Sequence, residues 1–190
     1  ITQGQKAPDK EHPYYLRREG GRKTNTCEFF VHPSKDIQNH SDLYYTLTRA
    51  LQEVLQEVIS KRLLRHPDLF QEIEGNVDIF PLQDTSAMKP FTSIVINLNG
   101  ITVAHKDEGD EGGCIIIVLG SFVGGELALY EPRVVLNVQH GGVVTFCSRD
   151  YTHFNLHYNG IQASVVIHSD RTGEAFRKNG NGWNKKVFYL

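Results

Sequence analysis

His105-Lys106-Asp107-Glu108-Gly109-Asp110 stands between two runs of a different character. Ahead of it lies Thr92-Ser93-Ile94-Val95-Ile96-Asn97-Leu98-Asn99. After it come Ile115-Ile116-Ile117-Val118-Leu119, the pair Gly124-Gly125, Glu126-Leu127-Ala128-Leu129-Tyr130, Val134 to Val138, Val143 to Cys147, and then His153. Short β-rich runs about ten residues apart, punctuated by glycine pairs, read as the strands of a sandwich or barrel. A His-x-Asp on one strand with a second His on a later strand is the 2-His-1-carboxylate set, which holds Fe(II) on one face and leaves its other positions open. His105, Asp107 and His153 are the candidate ligands.

His-x-Asp is a short pattern and occurs three times here, also at His66-Pro67-Asp68 and His168-Ser169-Asp170. The first follows a long helical pattern and contains Pro, so it reads as a helix stop. The third ends an apolar strand and reads as polar residues at a strand exit. Only the second is followed by a Gly-rich acidic turn, further strands, Gly-Gly-Glu-Leu and another strand-borne His. Asp110, in that turn, reads first as a solvated loop carboxylate and second as an aid to substrate or co-substrate.

The 190 residues, 39% of them apolar, suit one domain with a real core. A net charge of −2 excludes a global basic field of the kind that grips phosphates. The charge is uneven, however. Residues 1–26 carry six Lys/Arg against three acids and residues 170–190 five against two, whereas residues 91–169 hold only Lys106, Arg133 and Arg149. The basic ends serve either solubility or nucleic-acid contact. Cys27, Cys114 and Cys147 are an odd number, widely spaced, which points to reduced thiols in an intracellular protein and no disulfide-linked partner. No apolar run reaches the length of a membrane span, and the polar start, at Ile1 rather than Met, resembles neither a span nor a signal peptide and reads as a trimmed chain.

Residues 1–26 read as a basic arm, and residues 27–190 as a single domain whose β core runs from about 77 to 170. Ser41 or Asp42 is expected to cap a long helix with Leu43, Leu47, Leu51, Val54, Leu55, Val58 and Ile59 on one face, running through Leu64 and stopped by His66-Pro67. Its role is to support a sheet. A shorter helical turn follows around Leu69 to Ile73.

Asn159-Gly160 is the preferred pair for a two-residue type I′ hairpin. That register pairs Tyr158 with Ile161, His157 with Gln162, Asn155 with Ser164 and His153 with Val166. Opposed residues share a face, so an inward His153 brings His157, Gln162 and Ser164 inward with it. His157 lies about 13 Å from His153 along an extended strand, so only one of the two can bind the ion of His105. Phe154, Leu156, Ile161, Ala163, Val165 and Ile167 form the opposite, apolar face. A polar inner face backed by an apolar outer one suits a double-stranded β-helix, jelly-roll or cupin-like, packed on the N-terminal helix.

The order His-x-Asp, Gly-Gly-Glu-Leu, a Gly-containing turn with Val-Val-x-Phe, and a strand bearing the distal His resembles the Fe(II)/2-oxoglutarate-dependent dioxygenase superfamily. Within it, Ile96-Asn97-Leu98-Asn99-Gly100 ahead of His105 to Asp110, together with Thr152-His153-Phe154-Asn155-Leu156-His157, is most similar to the TET/JBP branch and its fungal members. The resemblance covers about residues 91–170. It implies Fe(II) held by His105, Asp107 and His153, 2-oxoglutarate as co-substrate, and oxidation of a methyl group on a nucleobase in DNA. DNA would be met by the basic terminal segments (Lys10, Arg17, Arg18, Arg22 and Lys23; Arg171, Arg177, Lys178, Lys185 and Lys186), and the location would then be nuclear.

Two positions depart from the family pattern. Gln162 stands where the family has an Arg or Lys that pairs with the far carboxylate of 2-oxoglutarate, and His140-Gly141-Gly142 replaces a Pro-Gly-Asp. An amide donates hydrogen bonds but does not neutralise a buried carboxylate. His157, opposite Gln162 in the expected register, Ser164 beside it, and Arg171 beyond the strand end are the remaining candidates for that contact. An altered pocket for 2-oxoglutarate, a less charged co-substrate such as ascorbate, a catalytically inactive β-helix that only binds, and a peptide or small-molecule substrate all stay open.

Overall fold

Ile115 to Leu119 is apolar at every position because both faces of its strand are covered, as in a fully buried sheet interior. The computed structural model describes residues 35–68, 70, 71, 73 and 87–171. In it Ile115 and Ile117 pack outward on a helix, while Cys114, Ile116 and Val118 face an internal cavity. The alternation is that of any strand, with successive side chains on opposite faces.

The elements in chain order are α1 (Lys35–Asn39), α2 (Ser41–Arg65), β1 (Ser93–Leu98), β2 (Asp110–Gly124), β3 (Leu127–Leu129), β4 (Val134–Leu136), β5 (Val143–Phe146), β6 (His153–Asn155) and β7 (Tyr158–Asp170). They form two antiparallel sheets. The larger has the order β1-β7-β2-β5 and the smaller β4-β3-β6. The described residues are thus mainly β with few helices, as the strand pattern leads one to expect. No helix among the described residues is long and apolar enough to cross a membrane. Cys114 and Cys147 are free thiols; Cys27 and the basic terminal segments, apart from Arg171, lie outside the described residues.

Helix α2 lies on the outer face of the larger sheet. Leu55 and Ile59 join Phe70, Ile73, Met88 and Phe91 against Ile115, Ile117, Val165 and Ile167 in one buried cluster. The Arg62 guanidinium donates to the Val143 carbonyl at 2.8 Å and ties the helix to edge strand β5. His66 caps the C-terminus, its N–H donating to the Arg62 carbonyl at 3.0 Å, with Pro67 next. The N-terminus differs from expectation. Neither Ser41 nor Asp42 is the cap; His40 is, without a side-chain cap bond, because α1 runs almost directly into α2. The apolar stripe is also only partly used, since Leu43, Val54 and Leu64 are exposed. The face that packs is narrower and is made of Leu51, Leu55, Val58, Ile59 and Leu63.

The largest correction concerns Asn159-Gly160. There is no hairpin there. Both residues lie inside β7, paired with Val123 and Phe122 of β2. Gly160 has φ +118°, and a Cβ on it would sit 2.3 Å from the Ser121 carbonyl oxygen. The glycine therefore answers a close approach between strands rather than a turn. At Leu156-His157 the chain passes from the smaller sheet to the larger, the Leu156 N–H donating to Glu126 O (2.9 Å) and the His157 carbonyl accepting from Gly125 N–H (3.1 Å). Two of the crossings between sheets, β2 to β3 at Gly125-Glu126 and β6 to β7 at Leu156-His157, thus meet at one corner. His153 pairs with Leu129 in the smaller sheet. Gln162 and Ser164 pair with Gly120 and Val118 in the larger one.

Candidate metal centre

A cavity of about 270 Å³ lies between the two sheets. Strand β7 gives it Gln162, Ser164, Val166 and His168, alternate residues of one face, while Val165 and Ile167 turn to the helix. The smaller sheet gives Leu127, His153 and Asn155. The segment from β1 to β2 adds Thr102, His105 and Asp107 at the cavity wall.

His105 and His153 face each other across a one-residue β-bridge, with His105 N–H to His153 O at 3.2 Å and the reverse bond at 2.9 Å. Their rings lie 4.3 Å apart. Asp107 sits between them: His105 Nε2 is 3.4 Å from Oδ1, and His153 Nε2 is 3.5 Å from Oδ2. One donor atom from each residue falls within 4.8 Å of the other two.

The ring orientations are fixed from behind. His105 Nδ1 lies 2.8 Å from Val103 O, and His153 Nδ1 lies 3.0 Å from Tyr151 O. A carbonyl only accepts, so each Nδ1 carries the hydrogen and each Nε2 turns a lone pair inward. Phe146 holds the His153 ring edge-to-face at 5.0 Å. His153 is buried, while Asp107 and His105 are about one-third exposed, so the group has one closed and one open side. Two imidazole nitrogens and a carboxylate on one side of an open position fit the Fe(II)-type facial donor set.

Beside this group lies a buried polar chain that the sequence reading underweighted. Asp110 is 7% exposed rather than solvated in a loop. One carboxylate oxygen is 2.7 Å from His168 Nδ1, and the other accepts the Ser148 hydroxyl at 2.6 Å. Burial pulls the His168 ring toward neutrality, but the Asp110 hydrogen bond and the charges of Asp110, Asp107 and Asp170 outweigh it and leave its pKa raised. Burial pushes the neighbouring Cys114 thiol up to about 12, so it is inert. Backbone bonds join this chain to the ligand loop: Asp107 N–H to Ser148 O at 3.1 Å and Asp110 N–H to Asp107 O at 2.9 Å. The sequence signal was there in His168-Ser169-Asp170, but a strand-exit reading missed that position 168 shares the inward face of 162, 164 and 166.

The co-substrate candidates separate. Gln162 is 6% exposed and lines the cavity with Ser164. Its backbone is paired with Asn99, whose Oδ1 accepts the Gln162 N–H at 3.0 Å. Its amide occupies the space above Gly125, where a Cβ would come within 2.7 Å of Nε2. Asn97 Nδ2 donates to Ser164 Oγ at 3.2 Å. His157 is exposed at the corner between sheets and does not line the cavity, contrary to the expected register. Arg171 is exposed at the far end of β7, its N–H bonded to Gly109 O at 2.8 Å, and it does not line the cavity either. The cavity thus has two polar ends. Gln162, Ser164 and Asn97 make one, and His168 with Asp110 makes the other, about 20 Å away along β7.

No family model matches the chain, and no curated protein matches its sequence. Among solved structures, the chain is similar to NgTET1 in complex with 5mC DNA, with a TM-score of 0.64 and 18% identity over 76% of this chain. The match covers 57% of the NgTET1 chain. At that identity the likeness establishes the shared fold alone.

Proposed function

We propose that this chain is the core of a TET-like Fe(II)- and 2-oxoglutarate-dependent oxygenase, with residues 27–190 as one domain around a double-stranded β-helix. The convergence of His105, Asp107 and His153 on one point, at the open side of the cavity, carries the reading. The fold shared with NgTET1 supports it.

In this reading His105 Nε2, Asp107 and His153 Nε2 are the metal ligands. An iron bound there would supply the oxidising chemistry, and the chain's own part is to orient and enclose. The Nδ1 bonds to Val103 O and Tyr151 O keep both lone pairs aimed at the ion. Ile116, Leu127, Val144 and Val166 supply apolar walls that limit water. A cavity of about 270 Å³ lies near the small end of ligand pockets, enough for a compact co-substrate and one protruding group. Gln162 and Ser164 hold the co-substrate end by neutral hydrogen bonds. The substrate is a methyl group on a nucleobase in DNA, a partner suggested by what NgTET1 is bound to. A nuclear location follows from a DNA substrate.

Gln162 favours a second reading. A buried amide leaves a carboxylate without a counter-charge, which suits a less charged co-substrate such as ascorbate, or a repurposed binding protein without turnover. An aerobic assay of 2-oxoglutarate conversion to succinate with Fe(II), run with and without 5-methylcytosine DNA, separates them. Succinate formation that rises with the methylated DNA supports the oxygenase. Metal uptake without succinate under any condition supports the binding protein. Turnover stimulated by a methylated peptide and not by DNA redirects the substrate.

A further inference from the structure

The segments that carry the three candidate ligands have little regular structure of their own. His105 contributes a single bridge residue, and His153 begins a strand of three. The bridge joins His105 to His153 directly, and on the outer side one carboxylate, Glu131, in the turn between β3 and β4, holds their chain neighbours. That turn is closed by Arg133 N–H to Tyr130 O at 3.1 Å.

Glu131 accepts three hydrogen bonds. The Thr152 N–H reaches Oε2 at 2.6 Å, the Thr152 hydroxyl reaches Oε1 at 2.8 Å, and Lys106 Nζ lies 2.9 Å from Oε1. Lys106 Nζ also donates to Asp150 O at 2.9 Å. Lys106 sits between the ligands His105 and Asp107, and Thr152 immediately precedes His153. The backbone of the turn adds Tyr130 N–H to Thr152 O at 2.9 Å. A side chain on a third element therefore grips the flanks of both ligand segments. The Lys106 hydrogen bond in particular holds the Glu131 carboxyl down at about 2, so the clasp is ionised throughout the neutral range.

An exposed ion pair alone contributes little to global stability. A carboxylate that takes a backbone N–H, a hydroxyl and an ammonium together restricts geometry instead. Outer groups that orient metal ligands commonly alter affinity 10- to 100-fold when removed. Resting on the metal reading above, we infer that Glu131 is a positioning residue of the metal centre: through Lys106 and Thr152 it sets His105, Asp107 and His153 at the separation that accepts an ion. It touches neither the ion nor a substrate.

The test is Mn(II) titration by electron paramagnetic resonance, with the visible spectrum of the Co(II) form and the melting temperature of the metal-free protein as companions. Wild type, Glu131→Gln, Lys106→Met and the double variant are compared. Glu131→Gln is expected to weaken Mn(II) binding roughly 3- to 10-fold, below the range for groups bonded directly to a ligand. It should alter the Co(II) bands and leave the metal-free melting temperature within a few degrees of wild type. Adding Lys106→Met should cost little more, because the two side chains act as one unit. Unchanged affinity and spectrum in Glu131→Gln, multiplicative losses in the double variant, or a loss that merely tracks a lower melting temperature would each overturn the role. If wild type takes up no Mn(II), the metal reading itself falls and takes this role with it.

Discussion

His168 makes the sharpest claim at the scale of single residues. Its raised pKa means that the folded protein binds the proton more tightly than the unfolded chain does. The Asp110–His168 contact therefore adds stability that is fully present below the unfolded His value near 6.5, and that stability is lost as pH rises through the folded value. Denaturant unfolding of the metal-free protein should show His168→Gln losing more stability at pH 6 than at pH 9, and an equal loss at both would contradict the assignment. At the other end of the cavity, Gln162→Arg should tighten 2-oxoglutarate about tenfold or more, since a charge-assisted pair replaces a neutral contact. His157→Ala should leave that affinity unchanged, because the exposed ring stands away from the cavity. Calorimetric titration with Mn(II) in place of iron reads both variants. Any dependence of co-substrate affinity on His157, expected from the hairpin register, is thereby withdrawn. The grouping of His105, Asp107 and His153 was legible because residue type and order carry the pattern. Asp110 was not, because whether a turn carboxylate is solvated or buried depends on Ser148 and His168, 38 and 58 residues away.

Elements were legible to the extent that their pattern was local. Alternation on β7 separated inward Gln162, Ser164 and Val166 from outward Val165 and Ile167, and the structure keeps that division. The helix-stop residues His66-Pro67 also end α2 as read. Asn159-Gly160 misled because a turn-forming dipeptide and a strand glycine at a close backbone approach look the same in one dimension. The right inward residues were thus reached through a wrong pairing, and His157 was the one that paid for it. Gly160→Ala distinguishes the two arrangements. With φ at +118° and the Ser121 carbonyl in the way, the substitution should destabilise the protein by about 1–3 kcal/mol or more, measured by urea unfolding. An effect of a few tenths would mean the position is not pinned between strands. Leu55→Ala, beneath the same sheet, should cost about 2–5 kcal/mol as a buried large-to-small change.

For the whole molecule, two antiparallel sheets enclosing a polar-ended cavity, with a helix behind the larger one, give the architecture its functional side. Net charge of −2 means that any grip on DNA must be local. If DNA is the substrate, binding should weaken steeply between 50 and 200 mM salt, as each neutralised phosphate releases counterions. A flat salt response in a fluorescence-anisotropy titration would favour a small-molecule or peptide substrate. The metal centre is the premise beneath all of this, and stoichiometric Mn(II) titration of wild type against Asp107→Ala tests it most directly. One ion per wild-type chain, lost in an Asp107→Ala variant that retains the wild-type circular dichroism spectrum, is the expected result. Equal uptake by the two proteins, or none by wild type, would contradict it.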